Sequence, residues 1–334
     1  MRNLTDTIEE IFPQKTVVIV GDLVADQFLN GTISRVSREA PVFILRHDTT
    51  ATVPGSAANA AVNVASLGGK TILIGLAGTD PSGELLIAAL TDAGLASGGI
   101  VVDPAVTTTT KLRVLAGQHY AARQQVIRID YEPAAEVDAE LKIKLRDNLA
   151  AAAGEADAII ISDYNYGAVF PEIFADALAI SRERGIPLIV DSRFALERFE
   201  NATSATPNRD EVEHILGEHF TADDCENLRA RLGLKTLLVT NGNQGMELFE
   251  EGLAVLQIDA VGGAEPVDVT GAGDTVIAAY ALGLASGLSF ADAARIANHA
   301  GGIVVMKKGT ASVTANELLA SITENAGTAA ANQA

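Results

Sequence analysis

Four short apolar runs, set among helix-like segments, constrain this chain's fold more than any other feature. They are Val17-Val-Ile-Val20, Ala158-Ile-Ile-Ile161, Pro187-Leu-Ile-Val190 and Thr236-Leu-Leu-Val-Thr240. Apolar runs of this length suit strands buried on both faces, and their alternation with helices over most of the chain predicts a mostly parallel sheet. Helices are expected over 56–67, 83–93, 138–153, 171–184, 211–216, 223–232, 272–284 and 290–306, with a short amphipathic one over 1–15. A further strand is expected over 71–77, and a strand pair over 245–249 and 253–258. Two β-prone stretches, about 28–48 and 107–131, break the alternation and predict a small separate sheet beside the core. Residues 323–334 read as a disordered polar tail.

The chain has 334 residues, 48% of them hydrophobic, enough to bury one large α/β core. Its 24 basic and 43 acidic residues give a net charge of −19. That field repels nucleic acid and anionic membrane surfaces, so neither is expected as a partner. The single cysteine, Cys225, excludes an internal disulfide and suits a reducing setting, so a cytoplasmic location is expected. Cys225 lies in a polar helical stretch and reads as a bland thiol. No basic leader with an apolar stretch is evident, and no apolar run reaches the length of a membrane span. His47, His119, His214, His219 and His299 lack metal-ligand spacing.

The strongest chemical signal is Asp268-Val-Thr-Gly-Ala-Gly-Asp-Thr275, which opens a long helix. Gly271, Ala272 and Gly273 allow successive amides to face one point, and the helix dipole adds partial positive charge there. Such an anion hole suits phosphoryl transfer, with Asp274 placed to accept a hydroxyl proton. A plain glycine turn with a helix-start acid is the bland alternative. No Gly-x-Gly-x-x-Gly follows the first strand, which leaves a nicotinamide-binding oxidoreductase without support.

The octet resembles the second signature of the ribokinase-like (PfkB) kinases. Pro54-Gly-Ser-Ala-Ala-Asn59, followed by Asn63 and Leu67-Gly68, resembles their first, although Gly is commoner there than Ser56. Gly21-Asp-Leu-Val-Ala-Asp26 resembles their opening sugar loop. Thr206-Pro-Asn-Arg-Asp-Glu211 resembles their Asn-x-x-Glu motif, and Thr240-Asn-Gly-Asn-Gln-Gly245 their nucleotide loop. The matches run in family order from about residue 17 to 320. The resemblance implies a three-layer α/β/α kinase domain over 1–322, a mostly parallel central sheet and a small β-sheet lid. It implies ATP as co-substrate and Mg²⁺. Asp22, Asp26, Gly55 and Asn59 would bind sugar, with Asp22 the better candidate of the two acids. Asn208 and Glu211 would hold Mg²⁺ through water, although as a bare pair they read equally well as an N-cap and a helix-start acid. Thr240, Gly242, Gly245 and Asn298 would contact ATP, and Asp268 and Thr270 a monovalent cation such as K⁺. Lids in relatives often pair across a dimer, and an exposed strand edge seeks a partner, so a homodimer is expected.

A narrower resemblance is to the family's D-glycero-β-D-manno-heptose 7-phosphate kinases. It rests on Gly31-Thr-Ile-Ser-Arg-Val-Ser-Arg-Glu-Ala-Pro-Val42, Thr109-Thr-Lys-Leu-Arg-Val-Leu115, Ile127-Arg-Ile-Asp130 and Ser162-Asp-Tyr164. Arg35, Lys111, Arg113 and Arg128 would supply the cations that a sugar phosphate needs in an acidic protein, with Asp163 beside them. The implied acceptor is the anomeric hydroxyl. Two departures stand out: Tyr166 and Arg193 occupy positions where that subfamily usually has Lys. The nucleotidyltransferase domain fused to some such kinases is not expected within these residues. Other readings are a kinase of a ketohexose, a ribose-type sugar or a nucleoside, and a regulator that binds sugar or nucleotide without turnover.

Overall fold

A computed structural model of the chain describes residues 4–118, 123–133, 136–263 and 265–331. His119 lies outside these residues, as does the end of the tail, 332–334. The central sheet has nine strands in the order β13-β12-β11-β10-β9-β8-β1-β4-β5. They are β1 (Thr16–Gly21), β4 (Lys70–Ala77), β5 (Ile100–Val102), β8 (Ala158–Asp163), β9 (Leu188–Ser192), β10 (Ser204–Ala205), β11 (Thr236–Thr240), β12 (Met246–Glu250) and β13 (Leu256–Ile258). From β5 to β11 neighbours run parallel, and β12 and β13 close the edge antiparallel.

Every residue of β1 and β8 is buried, because helices cover both faces. Val17 and Ile19 of β1 enter one core, and Val18 and Val20 the other, as the strand's period of two requires. The first face carries α1 (Leu4–Asp6), α2 (Ala57–Ser66), α3 (Pro81–Asp92), α8 (Ala272–Ala285), α9 (Phe290–Val304) and α10 (Ala315–Ala331). The second carries α4 (Ala139–Ala152), α5 (Pro171–Arg184), α6 (Arg209–Leu216) and α7 (Ala222–Arg231). Leu141, Leu145 and Leu149 of α4 are all buried there, a stripe at helical spacing.

Several boundaries differ from the sequence expectations. The helix expected over 1–15 is the short α1 followed by two further tight turns ending at Gln14. The tail expected to be disordered is helical as far as Ala331, where successive alanines favour helix over coil. Among the described residues no helix is long and apolar enough to cross a membrane.

The two β-prone excursions form one four-stranded sheet of order β3-β2-β6-β7: β2 (Leu23–Val36), β3 (Phe43–Ser56), β6 (Thr110–Gly117) and β7 (Gln124–Tyr131). It is longer than expected because β2 starts directly after Asp22 and β3 runs straight into α2. The lid is therefore rooted at the carboxyl end of β1, which is where an open α/β sheet gathers its ligands.

Candidate active site

Gly271 caps α8 with φ +77, a left-handed conformation that a side chain disfavours. A Cβ there would also stand 2.5 Å from Asn59 Nδ2. The Ala272 amide donates to Val269 O at 3.2 Å, and Gly273 follows it in the first turn of α8, at the positive end of the helix dipole. One helical step later, Asp274 is buried and both its oxygens are engaged. Asn59 Nδ2 donates to Oδ2 at 2.8 Å, and Tyr164 Oη to Oδ1 at 3.3 Å. Asn63 in turn donates to the Asn59 side chain at 3.2 Å, so α2 fixes this arrangement. Burial pushes the Asp274 carboxyl up to about 7, against the hydrogen bonds from Asn59 and Tyr164 and the nearby Lys111 charge, while Asp26 adds to the rise.

The two acids of the first loop have different fates. Asp22 accepts backbone N–H bonds from Tyr164 (2.8 Å), Tyr166 (3.0 Å) and Ala168 (2.9 Å), so it clamps the turn after β8. Burial nevertheless pushes its carboxyl up to about 6. Asp26 is the acid that faces Asp274. It accepts from Arg113 Nη1 at 2.5 Å and from Thr310 Oγ1 at 3.1 Å. Gly55 lets β3 approach it, since a Cβ there would lie 2.6 Å from Asp26 Oδ2. Asp163 accepts from the Asn165 amide (3.0 Å) and Ser192 Oγ (2.8 Å), a role internal to the loop.

Lys111 of β6 is buried, and burial holds its ammonium below the usual lysine range. Its Nζ lies 5.1 Å from the centre of the Tyr164 ring and 5.6 Å from that of Tyr166. No carboxylate forms an ion pair with it among the described residues. Together with Arg128 and Arg193 it lines a cavity of about 290 Å³. Arg128 is held there by Asp130 at 2.9 and 3.0 Å. Tyr166 thus serves as a wall for the buried Lys111. Arg35 does not join this group. It is exposed toward the far end of β2, about 30 Å along the strand from Asp26.

A second cavity of about 500 Å³ is lined by Tyr164, Asp191, Arg193, Glu211 and Gly271 to Asp274, among others. Asn208 and Glu211, also on its wall, form a reciprocal capping box on α6, each accepting the other's amide at 2.9 Å. Burial raises the carboxyls of both Asp191 and Glu211; for Asp191 the neighbouring carboxylates of Glu211, Asp274 and Asp163 add to it. Such an excess of negative charge suits a divalent cation. Among the described residues no three acid, His or Cys side chains stand close enough to ligate one ion directly, so water would complete the shell.

A third cavity, about 180 Å³, is lined by Thr240, Gly242, Gly245, Val261, Val276 and Asn298. The Asn298 amide donates to Asp259 O at 2.8 Å, so it braces the wall. The cationic and central cavities share Tyr164, Arg193 and Phe194; the central and third share Thr240, Val269, Ala272 and Gly273. The three form a row, with Asp274 at the middle one. Asp268 keeps its charge: burial alone would raise its carboxyl, but bonds from Thr270 and the Gly309 amide outweigh that. Tyr164, Asp191 and Thr310 received no role from the sequence. Tyr164 directly follows β8 and Asp191 is the penultimate residue of β9, positions at strand carboxyl ends that could have marked them; Thr310 carried no comparable signal.

The family model described as pfkB family carbohydrate kinase matches residues 14–317. The bifunctional protein HldE of Geobacter sulfurreducens is 36% identical over 324 residues, covering 94% of this chain and 65% of that protein. This chain therefore spans a little under two-thirds of that relative's length. Among solved structures, Arabidopsis thaliana ribokinase complexed with ribose and ATP superposes with a TM-score of 0.69 at 23% identity, covering 92% of this chain and 98% of that one. Phosphofructokinase-2 of Escherichia coli in complex with potassium gives 0.73 at 20% identity, covering 91% and 96%. These likenesses give the architecture, the ribokinase-like α/β fold.

Proposed function

Since the chain belongs to the pfkB family of carbohydrate kinases, we propose that it transfers the γ-phosphoryl group of ATP to the anomeric hydroxyl of a phosphorylated sugar, D-glycero-β-D-manno-heptose 7-phosphate. The observation that carries this reading is the row of cavities. A buried lysine without a carboxylate partner lies at one end, an apolar, glycine-lined pocket at the other, and Asp274 between them. A buried cation of that kind calls for an anionic group on the ligand.

In this reading Asp26, Gly55 and Asn59 hold the sugar hydroxyls, and Lys111, Arg128 and Arg193 hold its phosphate. Arg113 keeps Asp26 in place. Thr240, Gly242, Gly245 and Asn298 line the seat of ATP. Asp274 takes the acceptor proton. A loose transition state leaves that proton in place until late, so a carboxylate is a sufficient base. The Gly271 and Gly273 amides and the dipole of α8 stabilise the charge on the transferring group. Asp191 and Glu211 would hold Mg²⁺ through water, with Asn208 keeping Glu211 in place, and the ion would supply positive charge against the ATP phosphates. The Asp268 carboxylate, with Thr270 beside it, would line a monovalent-cation site. The open edge of β7, whose residues are all exposed, pairs with a second copy.

Replacement of the subfamily's lysines by Tyr166 and Arg193 supports a second reading, in which the same chemistry serves another phosphorylated sugar. A screen of ADP release over free and phosphorylated sugars separates these readings. Turnover with heptose 7-phosphate and none with the free heptose is expected. Turnover only with an unphosphorylated sugar would rule out an anion pocket at Lys111.

A further inference from the structure

The turn after β8 places Tyr164 between the two functional ends of the acceptor site. Its N–H is fixed by Asp22 at 2.8 Å, its hydroxyl reaches Asp274 Oδ1 at 3.3 Å, and its ring faces the Lys111 ammonium at 5.1 Å. Resting on the kinase reading, we propose that Tyr164 is a positioning residue: its hydroxyl orients the Asp274 carboxylate and its ring carries Lys111, so one side chain ties the proton acceptor to the anion pocket.

The chemistry of the contact supports this. Burial, reinforced by the charges of Asp274, Asp191 and Glu211, pushes the Tyr164 hydroxyl well above the usual tyrosine range, so it stays a donor. The second oxygen of Asp274 is held independently by Asn59 from α2. Two donors from different elements leave the carboxylate one orientation, which is what proton transfer at a fixed geometry needs. The other charged groups around Asp274 are Asp26 of β2, Lys111 of β6 and Asp191 of β9. Substituting the Tyr164 hydroxyl alters none of these. The ring also gives Lys111 a face to rest on in place of the carboxylate it lacks, at a distance where ammonium and ring attract. Asp22 has its own part in this device: by holding three amides of the turn it sets where the tyrosine stands.

The test is Tyr164→Phe, which keeps the ring and removes the donor. Titration of the Asp274 carboxyl carbon by ¹³C NMR, assigned by its loss in Asp274→Asn, needs no acceptor. It therefore fails or succeeds separately from the kinase reading. Loss of one hydrogen bond to the charged form should raise the midpoint by about 0.5–1 pH unit. Tyr164→3-fluorotyrosine strengthens the donor while keeping the hydroxyl in place, and should lower it. With heptose 7-phosphate as acceptor, the Phe variant should lose kcat while its KM for ATP stays unchanged. An unmoved midpoint in both variants, with activity lost evenly across pH, would overturn the proposal and leave Tyr164 as packing alone.

Discussion

Ser56 enters α2 with φ +54 and ψ −129, a conformation that side chains rarely adopt. The family resemblance marks this position only as one where Gly is commoner than Ser; the backbone supplies the reason. Strain of this kind costs about 1–3 kcal/mol. Ser56→Gly should therefore raise the unfolding free energy by about 1 kcal/mol, read as a higher denaturant midpoint, and leave turnover unchanged. A lower midpoint would mean that the Ser56 side chain contributes more than its backbone costs. Asp22 and Asp26 show the limit of sequence at the same scale. Both are acids after a strand, and only the fold decides that Asp22 accepts the amides of the next turn while Asp26 faces the base. Asp274 itself gives a pH prediction. Its carboxyl is raised to about 7 in the fold, and its proton-accepting form is the charged one. Hence kcat/KM should rise as pH increases through about 7. A profile flat from pH 5 to 8 would exclude Asp274 as the titrating base.

At the scale of elements, the buried strands and the helix opening at Gly271 were legible, because each has a local cause: continuous apolar runs, and glycines beside a helix start. The two-residue β10 and the short β5 were not, since neighbouring strands and not their own composition hold them in register. The motif Asn208 to Glu211 was ambiguous because its two readings coexist: the pair caps α6 and also lines the central cavity. The start of α8 is the least tolerant element. Gly271→Ala would place a side chain at φ +77 and press on Asn59, which holds Asp274. A loss of about 1–2 kcal/mol of stability follows from the backbone alone. A fall in kcat of roughly tenfold or more should accompany it as the carboxylate is displaced. Full activity in that variant would show that Asn59 need not contact the base.

Across the whole molecule, an acidic surface surrounds a site with a few buried or clustered cations, Lys111 and Arg113 foremost. The lid that carries them is rooted in the sheet at one end and open at β7, where Val126, Ile127 and Tyr131 are exposed. Light scattering should give the mass of a dimer, and Ile127→Lys should shift it to that of a monomer; a monomeric wild type would remove the lid interface. The proposed kinase reaction turns on proton transfer to Asp274, which lies between the two binding pockets. Steady-state ADP release by Asp274→Asn, with ATP affinity measured alongside by calorimetry, tests it most directly. A kcat lower by about 10²–10⁴-fold is expected, with ATP bound as tightly as in the wild type. Undiminished ADP release in that variant would contradict it.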